Sequence, residues 1–132
     1  MSLRPLPVLT PLNTAFWTDG RIGQLSILRC CGCAEWLHPP APICPACMGQ
    51  NLAPQGVSGN GVIEAFTVNH QASLPDEKVP CVIAIVSLED CPSVRLTTSI
   101  VEATPNEIRI GQHVRVVFEQ HDDVWLPLFT PA

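Results

Sequence analysis

The sequence predicts a mainly β chain in which an N-terminal helix and a rubredoxin-like zinc ribbon precede a five-stranded barrel of the OB-fold type. Three observations predict it. Four cysteines stand in two tight pairs, Cys30-Cys31-Gly32-Cys33 and Cys44-Pro45-Ala46-Cys47. After them come five segments rich in Val, Ile, Thr and Phe, separated by Pro, Gly, Asp or Asn clusters and lacking a long helical period. At 132 residues the chain is one domain or two small ones sharing a core. The expected division is an arm and short helix at 1–23, the ribbon at 24–55 and the barrel at 56–132.

Residues 1–12 read as an extended, proline-rich arm that gains order only by lying on something else. Asn13 is placed to cap a short helix through Thr14, Ala15, Phe16, Trp17, Thr18 and Asp19, with Gly20 as its stop. Phe16 and Trp17 are adjacent and cannot share one helix face. One serving the core while the other meets a partner, and both packing internally, are equally open readings. Leu25 and Ile27, alternating with Ser26 and Leu28, form a short strand over residues 24–29 that leads into the first cysteine pair. Pro39, Pro40 and Pro42 stiffen the return towards Cys44.

The strands of the barrel are expected at 62–71, 82–88, 94–101, 112–120 and 124–129. In the fourth, Val114, Val116 and Phe118 alternate with Arg115, Val117 and Glu119, so the first three are expected to fill the barrel.

Two Cys-x2-Cys turns with ten residues between them have the ligand spacing of a structural zinc ribbon. Each short turn aims two thiolates at one tetrahedral ion, here from Cys30, Cys33, Cys44 and Cys47. Four thiolates close the coordination shell, so the zinc is structural and activates no water. Iron suits the same ligands but would imply electron transfer, for which nothing else in the chain speaks. Cys31 paired with Cys33 gives an inferior one-residue spacing, which favours Cys30. His38 lies near enough to replace one thiolate, although an exposed histidine before Pro39 is the simpler reading. Cys81 and Cys91 are too isolated for ligand spacing and read as thiols buried in or beside strands. A ribbon this small buries little apolar surface, so the ion supplies stability that packing cannot.

The charge balance of seven basic against twelve acidic side chains gives a net −5, and the arginines form no stripe. Nucleic acid is thereby disfavoured as a partner. Residues 1–11 resemble neither a signal peptide nor a membrane span. With an odd number of cysteines and four in metal spacing, the expected location is cytoplasmic, with reduced thiols and no membrane contact. His38, His70, His113 and His121 fall in no triad motif. Asp122-Asp123 reads as a solvated turn, and Gly59-Asn60-Gly61 precedes a strand rather than the helix a phosphate cradle needs. No catalytic residue is expected.

The order of these features resembles a known family, the small zinc-ribbon plus OB-fold proteins associated with acyl-CoA enzymes and called domain of unknown function thirty-five. The matching pieces are Asn13-Thr14-Ala15-Phe16-Trp17, Leu28-Arg29-Cys30, His38-Pro39-Pro40, Cys44-Pro45-Ala46-Cys47, Ser58-Gly59-Asn60-Gly61-Val62, Phe66-Thr67-Val68, Val79-Pro80, Ile110-Gly111, Val114-Arg115-Val116-Val117-Phe118 and Leu126-Pro127-Leu128-Phe129. The chain departs from the family pattern at Ala34, where a glycine usually follows the first knuckle, at Met48, which separates the second knuckle from Gly49, and at Cys81, where an aromatic often follows the Val-Pro pair.

The resemblance implies a non-catalytic accessory or scaffold subunit in a hetero-oligomeric complex. Its partner would be a thiolase-like acyltransferase, thiolase or aldolase, or a hydratase, acting on acyl-CoA, with contact to acyl-CoA at the interface. Arg95, Arg109 and Arg115 could face a phosphate there, although ordinary strand-surface arginines explain them as well. Two other classes stand beside this reading. An OB-fold nucleic-acid module would need stacking aromatics and a basic groove. An independent acyl-CoA hydratase or thioesterase would need a general base that the sequence does not display.

Overall fold

The computed structural model describes residues 6–70 and 80–132. The start of the expected arm, the last residue of the first expected barrel strand at Gln71, and Val79 lie outside the described residues. Helix α1 spans Thr14–Thr18 and runs into a 3-10 turn at Asp19–Ile22. A three-stranded sheet follows, made of β1 (Leu25–Cys30), β2 (Trp36–Leu37) and β3 (Leu52–Val57) in the order β2-β1-β3. The rest is a closed barrel of β4 (Asn60–Asn69), β5 (Cys81–Leu88), β6 (Arg95–Ile100), β7 (His113–His121) and β8 (Val124–Pro131). Among the described residues no helix is long and apolar enough to cross a membrane.

Two details of the N-terminal segment differ from expectation. Asn13 does not cap α1 with its side chain. The chain already turns over residues 10–13, which puts Asn13 itself in the right-handed region with φ −108° and ψ −1°. From there its Oδ1 accepts the Thr10 N–H at 2.7 Å and its Nδ2 donates to the Val8 carbonyl at 3.1 Å, tying down the end of the arm instead. Gly20 is not the stop either. Helical winding continues to Gly23, whose φ of +74° is the left-handed exit glycine favours. Gly20 is needed for closeness: a Cβ there would lie 2.5 Å from Cδ1 of Phe118 and 2.6 Å from Cβ of Trp125. The 3-10 turn therefore rests directly on β7 and β8.

Strand β1 joins two cores. Leu25 and Ile27 point into the barrel core with Phe16, Ile63, Val86 and Phe129. Leu28 and Cys30 point into a small ribbon core completed by Leu37 and Cys44. Burial on both faces of one strand fixes the ribbon to the barrel. At the junction, the Asp90 carboxylate accepts the Ser58 N–H at 2.8 Å and the Ser58 hydroxyl at 2.9 Å, clamping the link between β3 and β4.

The barrel order β4-β5-β6-β8-β7 is closed by a single parallel pairing, Ile100 with Phe129, whose side chain is fully buried. A register shift in β4 between Ile63 and Ala65 bends that strand, so its beginning pairs with β7 while its length pairs with β5. On β7, Val114 is buried at 1 % exposure, and Val116 and Phe118 pack half-buried against the same core. Alternate residues of β5 do the same: Val82, Ala84, Val86 and Leu88 are inside, whereas Ile83 and Ile85 face outward.

A four-cysteine centre and the groove beside it

The two cysteine turns are built on one backbone plan. In the first, Cys30 N–H donates to the Glu35 carbonyl at 2.8 Å and Cys30 O accepts the Ala34 N–H at 2.9 Å. In the second, Cys44 N–H donates to the Gly49 carbonyl at 2.9 Å and Cys44 O accepts the Met48 N–H at 2.8 Å. Each turn thus places its two thiols on one side of the chain. Strand β1 delivers Cys30, β2 returns the chain, and Cys31 N–H anchors the first turn to the Asn51 carbonyl at 2.8 Å.

The four Sγ atoms of Cys30, Cys33, Cys44 and Cys47 all lie within 4.8 Å of one another. Across the two turns the separations are 3.6 Å for Cys30 to Cys47 and 3.5 Å for Cys33 to Cys44. A tetrahedral ion with Zn–S bonds of about 2.3 Å needs sulfurs about 3.8 Å apart. The donor set and its spacing therefore fit such an ion, with Cys30 and Cys44 buried and Cys33 and Cys47 exposed. All seven cysteines are free of disulfides.

Electrostatics within the cluster are uneven. The Cys33 N–H, joined by that of Gly32, points at the Cys30 sulfur and brings its pKa down to about 7 against the opposing effect of burial. For Cys33 the Glu35 N–H favours the thiolate, but sharing hydrogens with Cys44 and desolvation win and push it up to about 12. Cys47, despite the Gly49 N–H, is raised by its hydrogen bond with Cys30. The Cys30 thiol is eased towards ionisation, while Cys33 and Cys47 hold their protons more tightly. A cation at the centre reverses that preference by favouring four thiolates, and the backbone N–H groups are already aimed to support them.

Cys31 is exposed and its sulfur is not part of the cluster. Nor is His38, which is half-buried, with its ring 4.9 Å from that of Phe16 and its pKa lowered by burial. The expectation of an exposed histidine is corrected accordingly. Cys81 is half-buried at the start of β5, and Cys91 is buried past the other end of that strand, in the β5–β6 turn, where desolvation raises its pKa to about 11. His70 and His113 are exposed at strand ends, while His121 pairs with Glu119. Asp122 and Asp123 form the exposed two-residue turn between β7 and β8. Arg95 pairs with Glu64 at 2.8 Å, and Arg109 and Arg115 are exposed.

Beside the ribbon a groove of about 440 Å3 opens between α1, the loop after β2 and the barrel. Phe16 and Trp17 form one wall, with rings 4.7 Å apart edge to face, and His38, Pro39 and Pro40 form another. The floor is β6 from Leu96 to Ser99 and β8 from Leu126 to Leu128. Among the described residues no acidic side chain, lysine or arginine lines it. Its size suits a small-molecule segment or an inserted partner side chain. Sequence reading missed the groove because its walls are distant in the chain. One signal was present: three pieces that carry the family resemblance, residues 13–17, 38–40 and 126–129, converge on it.

Comparison with known proteins agrees with this architecture. The model for the ChsH2, C-terminal OB-fold domain matches residues 55–119. A probable enoyl-CoA hydratase alpha subunit from Thermomonospora curvata is 34 % identical over 99 % of this chain, which spans only 41 % of that relative. A DUF35 domain-containing scaffold protein from Pyrococcus furiosus is 34 % identical over 77 % of this chain and 74 % of its own length. Among solved structures, a chain of the Ltp2-ChsH2(DUF35) aldolase superposes with a TM-score of 0.84 at 31 % identity, covering 96 % of this chain and 98 % of that one.

Proposed function

The chain belongs to the DUF35 family, and on that footing we propose that it is a non-catalytic scaffold subunit of an acyl-CoA-handling enzyme complex in the cytoplasm. The observation that carries this reading is the nearly end-to-end match, in both directions, to a chain of an aldolase assembly. The partner is a hydratase, an aldolase or another thiolase-like acyl-transfer subunit. The division into a helix-bearing arm at 1–23, a ribbon at 24–55 and a barrel at 56–132 is a division of labour: the first two hold the partner, and the barrel lies beside its acyl substrate.

Zinc is the ion we assign to Cys30, Cys33, Cys44 and Cys47, which would hold it with four thiolates and no open position. When bound it supplies a cross-link and no acid or base chemistry. This chain contributes position. By covering the partner's active-site entrance with the groove walls of Phe16, Trp17 and His38, it orders loops and excludes water. The neutral, apolar lining suits the acyl or pantetheine part of a thioester better than its phosphates.

Affinity purification from the source cell, followed by native mass spectrometry and metal analysis, tests this reading. The expected result is one zinc per chain and co-purification of an acyl-CoA hydratase, aldolase or thiolase-like subunit. Recovery of a stable, partner-free chain would count against the scaffold role.

A further inference from the structure

The shared plan of the two cysteine turns demands something of the residue that follows each pair. After Cys33 and after Cys47 the backbone must swing into the left-handed region so that the next N–H groups face the sulfurs. Ala34 does so at φ +66° and Met48 at φ +62°. Glycine enters this region freely, whereas a Cβ meets its own backbone there. Neither turn has glycine at the position, and the strain is the same in both.

The surroundings hold these conformations in place. Ala34 N–H is bound to Cys30 O, and Ala34 O accepts Nε of Arg29 at 3.1 Å. The Arg29 guanidinium in turn lies 4.4 Å above the Trp36 ring and donates to Gln55. Met48 N–H is bound to Cys44 O. Strained backbone persists where neighbours over-determine it, and it is released when they let go.

We propose that Ala34 and Met48 are positioning residues that set how tightly the four-thiolate centre holds its metal, making this ribbon release its ion more readily than glycine turns would. The inference rests on the zinc reading of the centre. Strain stored in the closed turns disappears when the ion leaves and the turns open, so it subtracts from metal affinity. Occupancy, and with it the order of the ribbon, then responds to competing chelators and thiols at concentrations that a glycine ribbon would ignore.

Met48 is 71 % exposed, with Ile43 exposed on the same turn, so a use for its side chain is the rival explanation. The two are separable because alanine keeps the strain and removes the side chain, whereas glycine removes both. Zinc affinity is measured on the full chain by competition with a chromophoric chelator at fixed pH. Ala34→Gly and Met48→Gly are each expected to tighten zinc binding roughly fivefold, and the double variant roughly twentyfold, after allowance for the greater freedom of glycine in the open state. Met48→Ala is expected to bind zinc as the natural chain does. Unchanged or weaker binding in either glycine variant overturns the proposal, as does a Met48→Ala variant that tightens as much as Met48→Gly. Failure of the natural chain to take up zinc at all defeats the assignment of the centre, and the strain argument falls with it.

Discussion

Replacing Cys44 with serine unties the ribbon while the barrel stays folded. The ribbon core holds four buried residues, and two of them, Cys30 and Cys44, are cysteines of the cluster. So small a core does not offset the entropy of ordering the 30–52 loop, and structural zinc sites contribute about 10 kcal/mol or more to the folding of small domains. Loss of one buried ligand should therefore cost at least about 3 kcal/mol and expose the segment to solvent. Hydrogen exchange is the measurement. The amides of Cys30, Ala34, Cys44 and Met48, each bonded within the turns, lose protection, and those of β5 and β7 keep it. The barrel does not escape entirely. Leu25 and Ile27 of β1 belong to its core, so its melting temperature falls as well. Equal loss of protection throughout the chain would show that the ribbon is not a separable unit.

The second large effect is expected at Gly20. An alanine there places its Cβ against the Phe118 ring and the backbone-fixed Cβ of Trp125, at 2.5 and 2.6 Å. Phe118 could rotate a little, but the Trp125 Cβ cannot move without its strand. Overpacking of this kind costs about 1–3 kcal/mol, and the fixed neighbour argues for the upper part of that range. The 3-10 turn lifts from β7 and β8 and carries α1 with it, so Phe16 and Trp17 leave the groove wall. Gly20→Ala should thus lower the melting temperature of the isolated chain and weaken assembly with the partner, even though Gly20 itself is buried. A Gly20→Ala chain that melts and assembles normally would remove the helix from the account.

Much of the barrel is legible in the sequence because its signal is local. Runs of Val, Ile and Thr broken by turn residues place all five strands, with each boundary expected among the described residues falling within two residues of where the structure has it. The ribbon strands beyond β1 are harder. Strand β2 is two residues long, and β3 carries Pro54 and Gly56, which argue against a strand unless it lies at a sheet edge, as β3 does. Spacing alone identifies the four cysteines that cluster, since two residues between thiols is the reach of one turn. Roles that depend on tertiary approach stay hidden. Gly20 reads as a helix stop until the strands it touches are known, and His38 reads as exposed until Phe16 is found beneath it. The groove is the extreme case, because its walls come from segments separated by most of the chain.

The accessory role is tested most directly by assaying turnover of an acyl-CoA substrate with three preparations: the co-purified complex, the partner subunit alone, and this chain alone. The account predicts full activity in the complex, loss of activity or stability in the isolated partner with recovery on adding this chain back, and no turnover by this chain alone. Turnover by this chain alone, or a partner that is fully active and stable without it, would contradict the account.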